Sequence, residues 1–312
     1  MTDTSSPRLQ WNIITDARRA AGLFVDYLVI SDILSSEGHS VKSYDFWKGG
    51  PISPADRNLF LEAIIPDLFP FASENWLIPN PDFFRPDWLK QLQIFDRILC
   101  KTMDAYHIFT KLAPGKCTYI GFASRDMLIS GVPRVRQFIH VSGKSRLKNT
   151  EVVIEAWRRG QPPFQLTLVT RAHSLPAERR GIRLYRHLRD EDLAVEMNRN
   201  LFHLCPSMYE GFGHILHEGL SCGNVVITTR AQPMIESGAP MELTIPVHRV
   251  LDNSQNLARL HFVRWQDVLA AVNAATAASE ETVQSWRSQA RDAYEKGLRN
   301  FREQFLNLLR VH

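Results

Sequence analysis

Cysteines are few in this sequence, and none is placed as a disulfide or metal motif requires. The 312 residues include four cysteines, and no two of them form a C-x-x-C pair. Each lies in or beside an apolar run, which favours small core residues over a disulfide framework or a zinc site. His214 and His217 are three residues apart and so lack the i, i+4 spacing of a zinc-binding helix. The sequence therefore predicts no metal site.

Long apolar runs and a strong excess of one charge are also absent. No stretch approaches the roughly 18 apolar residues of a membrane-spanning helix, and residues 1–10 have no apolar signal core. Lysine and arginine number 37 against 33 acidic residues. This small excess argues against nucleic acid and mildly favours a phosphorylated ligand or an anionic membrane surface. We expect a cytoplasmic protein, with peripheral contact at the inner face of a membrane left open.

Two glycine-rich phosphate motifs are missing as well. The P-loop pattern G-x-x-x-x-G-K-[ST] does not occur, and no G-x-G-x-x-G follows either opening strand, which disfavours a nicotinamide dehydrogenase. Hydrophobic residues make up 44% and charged residues 22% of the chain, which are values of a globular protein.

Short apolar strands alternate with helical patterns along the chain. Residues 11–15, 24–36 and 41–46 are predicted as strand, helix and strand, an opening that favours a parallel sheet. A short helix is expected after Ser53-Pro54, because serine can cap a helix and proline can start one. A short strand is expected over residues 67–72.

The length of the chain predicts two domains. Residues 131–133 (Gly-Val-Pro) are the expected linker, because the strand and helix pattern starts again after them. We expect an α/β protein with two Rossmann-like, doubly wound domains, residues 1–133 and 134–290, facing each other across a cleft. Ligands of such sheets bind beyond the carboxyl ends of the strands. The stretch over residues 279–309 is predicted as a long amphipathic helix with a break near Gly297.

The most informative segment follows a predicted strand over residues 201–205. It reads CPSMYEGFGHILHEG, in which Gly211, Phe212 and Gly213 lead into a predicted helix. Free amides at a helix N-terminus favour an anion or a sugar hydroxyl. Glu210 precedes this helix and Glu218 lies about two turns along it, so the two carboxylates can address two parts of one ligand. The spacing fits a structural alternative equally well, in which Glu210 interacts with the helix dipole and Glu218 is a solvated helix residue.

This segment resembles the two-glutamate motif of retaining glycosyltransferases with the GT-B fold, especially glycosyltransferase family 4. Seven residues separate the two glutamates of that motif, and glycine and phenylalanine follow the first, as they do here. The resemblance implies that Glu210 contacts the donor sugar, that Glu218 binds the ribose hydroxyls, and that Gly211, Phe212 and Gly213 bind the donor. It also implies an N-terminal acceptor domain, a C-terminal nucleotide-sugar domain, and a last helix (residues 291–312) that crosses back to the first domain.

A basic segment after the predicted strand 138–141 agrees with this resemblance. Lys144 and Lys148, four residues apart in a loop beyond a strand, suit a diphosphate. The family has arginine where Lys144 stands and glycine where Asn149 stands, and its spacing is slightly longer, so Arg146 competes with Lys148 as the second ligand. We expect Lys144, Lys148 and Glu210 to be catalytic. Exposed loop charge is the alternative.

Further donor-binding residues are Gly143 and Arg146 and, on the resemblance, Gly22. Family members have a glycine-rich loop after the first strand, whereas this chain has one glycine there, preceded by Arg18 and Arg19. Gly22 fits either that role or an ordinary loop position. The sequence assigns no role to His107 or His173.

The expected reaction moves a hexosyl group from a nucleoside-diphosphate sugar to an acceptor that the sequence does not identify. The resemblance implies retention of anomeric configuration, and no cofactor or metal is expected. The D-x-D run that begins at Asp190 opens a predicted helix, where acidic residues complement the dipole. A sugar-nucleotide epimerase of the same fold and a catalytically weak sugar-nucleotide-binding protein are the alternatives.

Overall fold

The computed structural model describes residues 8–16, 22–171 and 180–310, so Arg18, Arg19 and His173 lie outside the described residues. The chain divides into two compact units. The first comprises the described residues of Met1–Ser124, Ser254–Leu257 and Gly297–His312, and the second those of Arg125–Asn253 and Ala258–Lys296. In the described part, no helix is long and apolar enough to cross a membrane.

A six-stranded sheet forms the first unit. Its elements in chain order are β1 (Gln10–Thr15), α1 (Gly22–Ser36), β2 (Ser40–Asp45), β3 (Ala55–Leu61), a 3-10 helix (Pro66–Phe71), β4 (Ala72–Ile78), a 3-10 helix (Pro86–Ile94), β5 (Arg97–Cys100), α2 (Met103–Leu112) and β6 (Cys117–Tyr119). The strands lie in the order β2-β1-β3-β4-β5-β6, and every neighbouring pair is parallel.

Three asparagines link the central strands of this sheet. The amide of Asn12 donates to Asn58 at 3.1 Å, and the amide of Asn58 donates to Asn75 at 3.0 Å. Buried amides are costly without partners. In the register of the sheet, Asn12 of β1 lies opposite Asn58 of β3, and Asn58 lies opposite Asn75 of β4. A slip of one residue would break both bonds, so the ladder helps to fix the register.

The second unit contains a five-stranded parallel sheet and a two-stranded antiparallel ribbon. Its elements are β7 (Val135–Gly143), a 3-10 helix (Arg146–Lys148), α3 (Thr150–Gly160), β8 (Leu166–Thr170), β9 (Ile182–Tyr185), α4 (Asp190–Arg199), β10 (Asn200–Cys205), α5 (His214–Ser221), β11 (Val225–Thr228), 3-10 helices (Met234–Ser237 and Met241–Leu243), β12 (Arg249–Asp252), β13 (Arg259–Phe262), α6 (Trp265–Ala277) and α7 (Glu280–Arg310). The sheet order is β11-β10-β7-β8-β9, and β12 pairs with β13.

Aromatic side chains fill the core of the second unit. Phe138 stacks on Phe202 at 4.9 Å between ring centroids and meets Trp157 edge-on at 5.5 Å. Every residue of β8 and β10 is buried, as expected for central strands of a parallel sheet with both faces covered. Ligands of such sheets bind at the carboxyl ends of the strands and the loops that follow them.

Two expected elements are wrong. The Ser53-Pro54 pair starts no helix, because Ala55–Leu61 is the central strand β3, whose last five side chains are buried. Burial between β1 and β4 outweighs the local capping signal. The strand expected over residues 67–72 is instead mostly a 3-10 helix, Pro66–Phe71. Proline has no N–H for a strand ladder, and its fixed φ suits the first turn of a helix.

The division between the units differs from the expected linker. It falls between Ser124 and Arg125, so residues 131–133 lie inside the second unit. The residues just after the division are held by this unit, because the N–H of Met127 donates to the hydroxyl of Ser221 at 2.9 Å.

The long last helix has no break at Gly297. α7 continues through it to Arg310, and from Gly297 onward the helix belongs to the first unit. There Phe301 packs on Phe122 at 4.5 Å between ring centroids. A glycine inside a helix costs about 1 kcal/mol relative to alanine, which tertiary packing of this kind can offset.

Candidate active site

The loop that follows β10 carries the candidate site. The chain leaves the buried strand at the carboxyl edge of the second sheet, where ligands bind in open α/β sheets. Two hydrogen bonds of 2.7 Å hold the loop: the N–H of Met208 donates to the carbonyl of Leu147, and the hydroxyl of Thr229 donates to the carbonyl of Ser207. The loop is thereby fixed against the basic segment after β7 and the end of β11.

Glu210 and Lys148 form an ion pair in this loop. Lys148 Nζ lies 2.5 Å from Oε1 and 2.6 Å from Oε2 of Glu210. The hydroxyl of Ser207 also donates to Oε1 of Glu210. Glu210 is only 7% exposed, so these charge-assisted hydrogen bonds are shielded from water. A cation, a carboxylate and a hydroxyl from two loops thus converge at one edge of the sheet.

Gly213 allows Glu210 to approach the start of α5. Its φ of +87° lies in the left-handed region, which favours glycine. A Cβ at this position would lie 3.4 Å from Cγ of Glu210, so the glutamate packs against the backbone of residue 213. α5 begins at the next residue, His214, and a helix N-terminus is a favourable environment for an anion.

Phe212 is fixed by the two histidines of α5. Its ring stacks on His217 at 4.1 Å with an interplanar angle of 9°, and it meets His214 edge-on at 5.3 Å. Burial lowers the pKa of His217 to about 3, and the charge of His214 lowers it too. The imidazole of His217 is therefore neutral at neutral pH and serves as a packing surface. Among the described residues, no group of three or more His, Cys, Asp or Glu is placed to hold a metal ion.

The structure separates the basic residues of the segment after β7. Lys148 contacts Glu210, and its side chain is 17% exposed. Lys144 and Arg146 are exposed, and neither forms an ion pair with another residue that the structure describes. Arg146 and Lys148 were the two candidates for the second basic residue at the diphosphate. Of these, Lys148 is the one that the structure brings to Glu210.

Two left-handed residues shape the same segment. Gly143 has φ +55° and Asn149 has φ +58°. Asparagine is one of the few residues other than glycine that adopt this region readily. Asn149 thus adopts a left-handed backbone conformation that most residues other than glycine avoid.

Glu218 is paired with a residue that the sequence analysis did not single out. The carboxylate is 3% exposed, and its Oε1 accepts from Nε of Arg125 at 3.2 Å and from Nη2 at 3.1 Å. Nη1 of Arg125 donates to Asp190 at 2.9 Å. Asp190 is the first residue of α4, so the D-x-D run opens a helix. The contact spans 93 residues, and no local pattern signals it.

Gly219 brings α5 close to β10. A Cβ at this glycine would overlap the ring of His203, which is fully buried. Neither ring nitrogen of His203 has a hydrogen-bond partner in the part of the chain that the structure describes. Burial lowers its pKa to about 3, with smaller contributions from His140 and Lys148, so the ring is neutral. The close approach fixes the helix that carries Glu218.

The first unit has a polar group of its own. Gly22, the exposed first residue of α1, belongs to this unit. Glu62 follows β3, Asn80 follows β4 and Lys101 follows β5, so all three lie at the carboxyl edge of the sheet. The amide of Asn80 donates to Glu62, and Lys101 Nζ lies 2.8 Å from Asp26. Burial raises the pKa of Glu62 to about 8, although Lys101 opposes the shift.

Solved structures resemble this chain although sequence comparison finds no relative. No protein-family model matches the sequence, and no curated protein matches it. HepE of Anabaena, solved with UDP and glucose, has a TM-score of 0.68 at 13% identity, covering 98% of this chain and 100% of HepE. WaaG, a glycosyltransferase of lipopolysaccharide biosynthesis, has a TM-score of 0.68 at 12% identity, covering 97% of this chain and 100% of WaaG.

A third solved structure has the same similarity. The UDP-forming α,α-trehalose-phosphate synthase of Burkholderia vietnamiensis has a TM-score of 0.68 at 10% identity, covering 97% of this chain and 99% of the synthase. At such identities the similarity shows the fold: this chain has two Rossmann-like domains, the GT-B fold of glycosyltransferases. The fold class expected from the sequence is confirmed.

Proposed function

We propose that this protein is a glycosyltransferase that moves a hexosyl group from a nucleoside-diphosphate sugar to a hydroxyl acceptor. The observation that carries the proposal is the contact between Lys148 and Glu210 at the carboxyl edge of the second sheet, beside the start of α5. The diphosphate needs fixed positive charge, and sugar hydroxyls need acceptors. The solved structures support this reading, because WaaG is a glycosyltransferase and HepE was solved with UDP and glucose.

The donor is proposed to bind to the second unit. Lys148, with Lys144 and Arg146 nearby in sequence, neutralises the diphosphate, and Gly143 and the segment 211–213 lie against it. Glu210 accepts hydrogen bonds from the transferred sugar, and Glu218 accepts them from the ribose. A uridine nucleotide is the first candidate, because HepE was solved with UDP and the similar trehalose-phosphate synthase is UDP-forming.

The chemical step is proposed to retain anomeric configuration without a metal ion. The bond between the anomeric carbon and the phosphate oxygen breaks, and the acceptor oxygen bonds to that carbon from the same face. The acceptor proton passes to the departing phosphate. Lysine charge at the phosphate stabilises the negative charge that develops there in the transition state.

The acceptor is proposed to bind to the first unit. Glu62 and Asn80 are joined by a hydrogen bond at the carboxyl edge of its sheet, the place where Rossmann-like sheets bind ligands. A carboxyl and an amide supply both donors and acceptors for a hydroxyl group. Glu62 also has φ +64°, a strained backbone conformation for a glutamate of the kind that clusters at functional sites.

Product analysis tests the proposal. The donor is first chosen by thermal shift with a panel of uridine, guanosine and thymidine diphosphate sugars, because a ligand of the folded state raises its stability. The protein is then incubated with that donor and a mixture of hydroxyl acceptors, with and without excess chelator. We expect a glycoside with the anomeric coupling of the donor, formed equally in chelator. An inverted product, or activity that magnesium or manganese restores, would contradict the retaining, metal-independent part.

Two controls separate this function from its alternatives. An epimerase would change the sugar of the donor in the absence of any acceptor, which NMR of the recovered donor reveals. A binding protein would show the thermal shift without turnover.

A further inference from the structure

We infer that Arg125 is a positioning residue that holds the carboxylate of Glu218 ready for the ribose hydroxyls of the nucleotide. The inference rests on the proposed function, because it takes Glu218 as the ribose-binding residue. In this account Arg125 acts through Glu218 and does not touch the reacting atoms. Its role is to make nucleotide binding depend on the ribose hydroxyls.

The geometry places two donors of Arg125 on a single oxygen of Glu218. Nε and Nη2 lie 3.2 and 3.1 Å from Oε1, while Nη1 is directed to Asp190 at 2.9 Å. A carboxylate offers about four acceptor positions over its two oxygens. Both donors of Arg125 lie on Oε1, so the pair with Arg125 uses no acceptor position on Oε2.

The backbone beside Arg125 is fastened to the helix that carries Glu218. The N–H of Met127 donates to the hydroxyl of Ser221 at 2.9 Å, and this hydroxyl donates to the carbonyl of Glu218 at 2.8 Å. The N–H of Ile129 donates to the side chain of Asn198 at 3.0 Å. The guanidinium is thus held in a fixed place relative to the carboxylate, which is the condition for preorganisation.

Burial explains why Glu218 needs such a partner. The side chain of Glu218 is 4% exposed, whereas those of Arg125 and Asp190 are 31% and 70% exposed. A buried carboxylate is costly without a partner, and its side chain turns towards water where it can. Such a movement weakens a residue that must accept hydrogen bonds from two ribose hydroxyls. Arg125 keeps the Glu218 carboxylate oriented before the nucleotide arrives.

A purely structural role for Arg125 makes a different prediction. If the pair only stabilised the fold, its loss would weaken binding of every nucleotide by the same factor. If Arg125 positions Glu218, its loss weakens a nucleotide that has ribose hydroxyls and leaves one that lacks them unchanged. The ratio of the two affinities therefore separates the roles.

Calorimetric titration of the full chain with UDP and with 2′,3′-dideoxyuridine diphosphate measures this ratio. If the thermal-shift panel selects another base, the diphosphates of that base are used. The proteins are the parent, Arg125→Gln, Arg125→Lys, Glu218→Gln and the control Arg189→Gln. Arg189 pairs with half-exposed Asp192 at 2.8 Å in the same acidic run. Its replacement therefore removes one charge and one ion pair, as replacement of Arg125 does, without affecting a contact of Glu218.

We expect the parent and Arg189→Gln to bind the ribonucleotide about 10- to 100-fold more tightly than the dideoxy analogue, the range for hydrogen bonds to a charged group. Glu218→Gln and Arg125→Gln should both lower this ratio to about 2- to 5-fold. Arg125→Lys should give an intermediate ratio, because it restores the charge but not the two-donor contact. If Arg125→Gln does not fold, Arg125→Lys decides the question.

Each other outcome overturns a separate statement. If no nucleoside diphosphate binds the parent, the proposed function fails and takes the inference with it. If the parent binds the ribonucleotide more tightly than the dideoxy analogue and Glu218→Gln does not change this affinity ratio, the assignment of Glu218 to ribose is wrong. If Glu218→Gln lowers the ratio but both Arg125 variants keep the parent value, the role of Arg125 alone is wrong.

Discussion

Lys148 Nζ contacts both carboxylate oxygens of Glu210, at 2.5 and 2.6 Å, although the two residues are 62 positions apart. The sheet order explains the contact. Lys148 lies in the segment after β7 and Glu210 in the loop after β10, and these two strands are parallel neighbours. Their carboxyl ends therefore meet at one edge of the sheet.

Replacement of Lys148 by alanine should lower turnover by roughly 10²–10³-fold, the usual effect of removing one electrostatic stabiliser of the transition state. Lys144→Ala should act in the same direction, and the double variant should be at least as slow as either. Steady-state rates at saturating donor test this, with exposed Lys42→Ala as a control for the loss of one charge. Parent-like turnover of the double variant would show that these lysines do not stabilise the leaving diphosphate.

The two glutamates should differ in their kinetic effects. Glu218→Gln should chiefly raise KM for the donor, because the ribose is remote from the reacting carbon. Glu210→Gln should lower kcat as well, because Glu210 is expected to contact the migrating sugar. Initial rates over a range of donor concentrations separate the two parameters. Parent kinetics in both variants would contradict the two-glutamate assignment.

Gly219→Ala should destabilise the protein by about 1–3 kcal/mol, because the added methyl group overlaps the buried ring of His203. The cost should fall when His203 is also replaced by alanine, which leaves room for the methyl group. Urea unfolding of the parent, both single variants and the double variant gives the coupling free energy. Additive effects would mean that the ring and the glycine do not constrain each other.

Glu62 should make the stability of the protein depend on pH. Its folded pKa is about 8, against an ordinary value of 4.5, because burial disfavours the charged form. Between about pH 4.5 and 8 the folded state therefore holds a proton that the unfolded state has released, so stability should fall as the pH rises over this range and level off above it. Because the Glu62 side chain is half-buried, we expect the free energy of unfolding to fall by about 1–2 kcal/mol between pH 6 and 9, less than the shift alone implies.

The control for this effect is Glu62→Gln, a neutral side chain of similar shape. Its free energy of unfolding should fall less than that of the parent between pH 6 and 9. Equal slopes in the two proteins would show that Glu62 does not carry the proton.

The sequence predicted the fold class because strand and helix periods alternate in both halves. β1, α1 and β2 begin and end within two residues of the ranges expected for them, since each is marked by its own apolar pattern. β3 was missed, because its position between β1 and β4 decides its conformation and the local Ser53-Pro54 signal does not. The ribbon of β12 and β13 and the helix α6 were also not predicted.

Contacts that no local sequence pattern signals limited what the sequence could say of the site. The motif predicted Glu210 and Glu218, and the basic run predicted Lys148, since each belongs to a local pattern. Ser207 and Arg125 belong to none. Ser207 contacts Glu210 because of the tight loop after β10, and Arg125 reaches Glu218 across 93 residues.

Release of nucleoside diphosphate from the donor selected by thermal shift tests the central proposal most directly. It is measured with and without the acceptor mixture, for the parent and for Glu210→Gln, with Arg189→Gln as the folded control. The account predicts release that acceptor stimulates in the parent and in the control, and a rate lower by roughly 10²-fold or more in Glu210→Gln. A parent that binds the donor but releases no diphosphate with any acceptor, or equal release from the parent and Glu210→Gln, would contradict it.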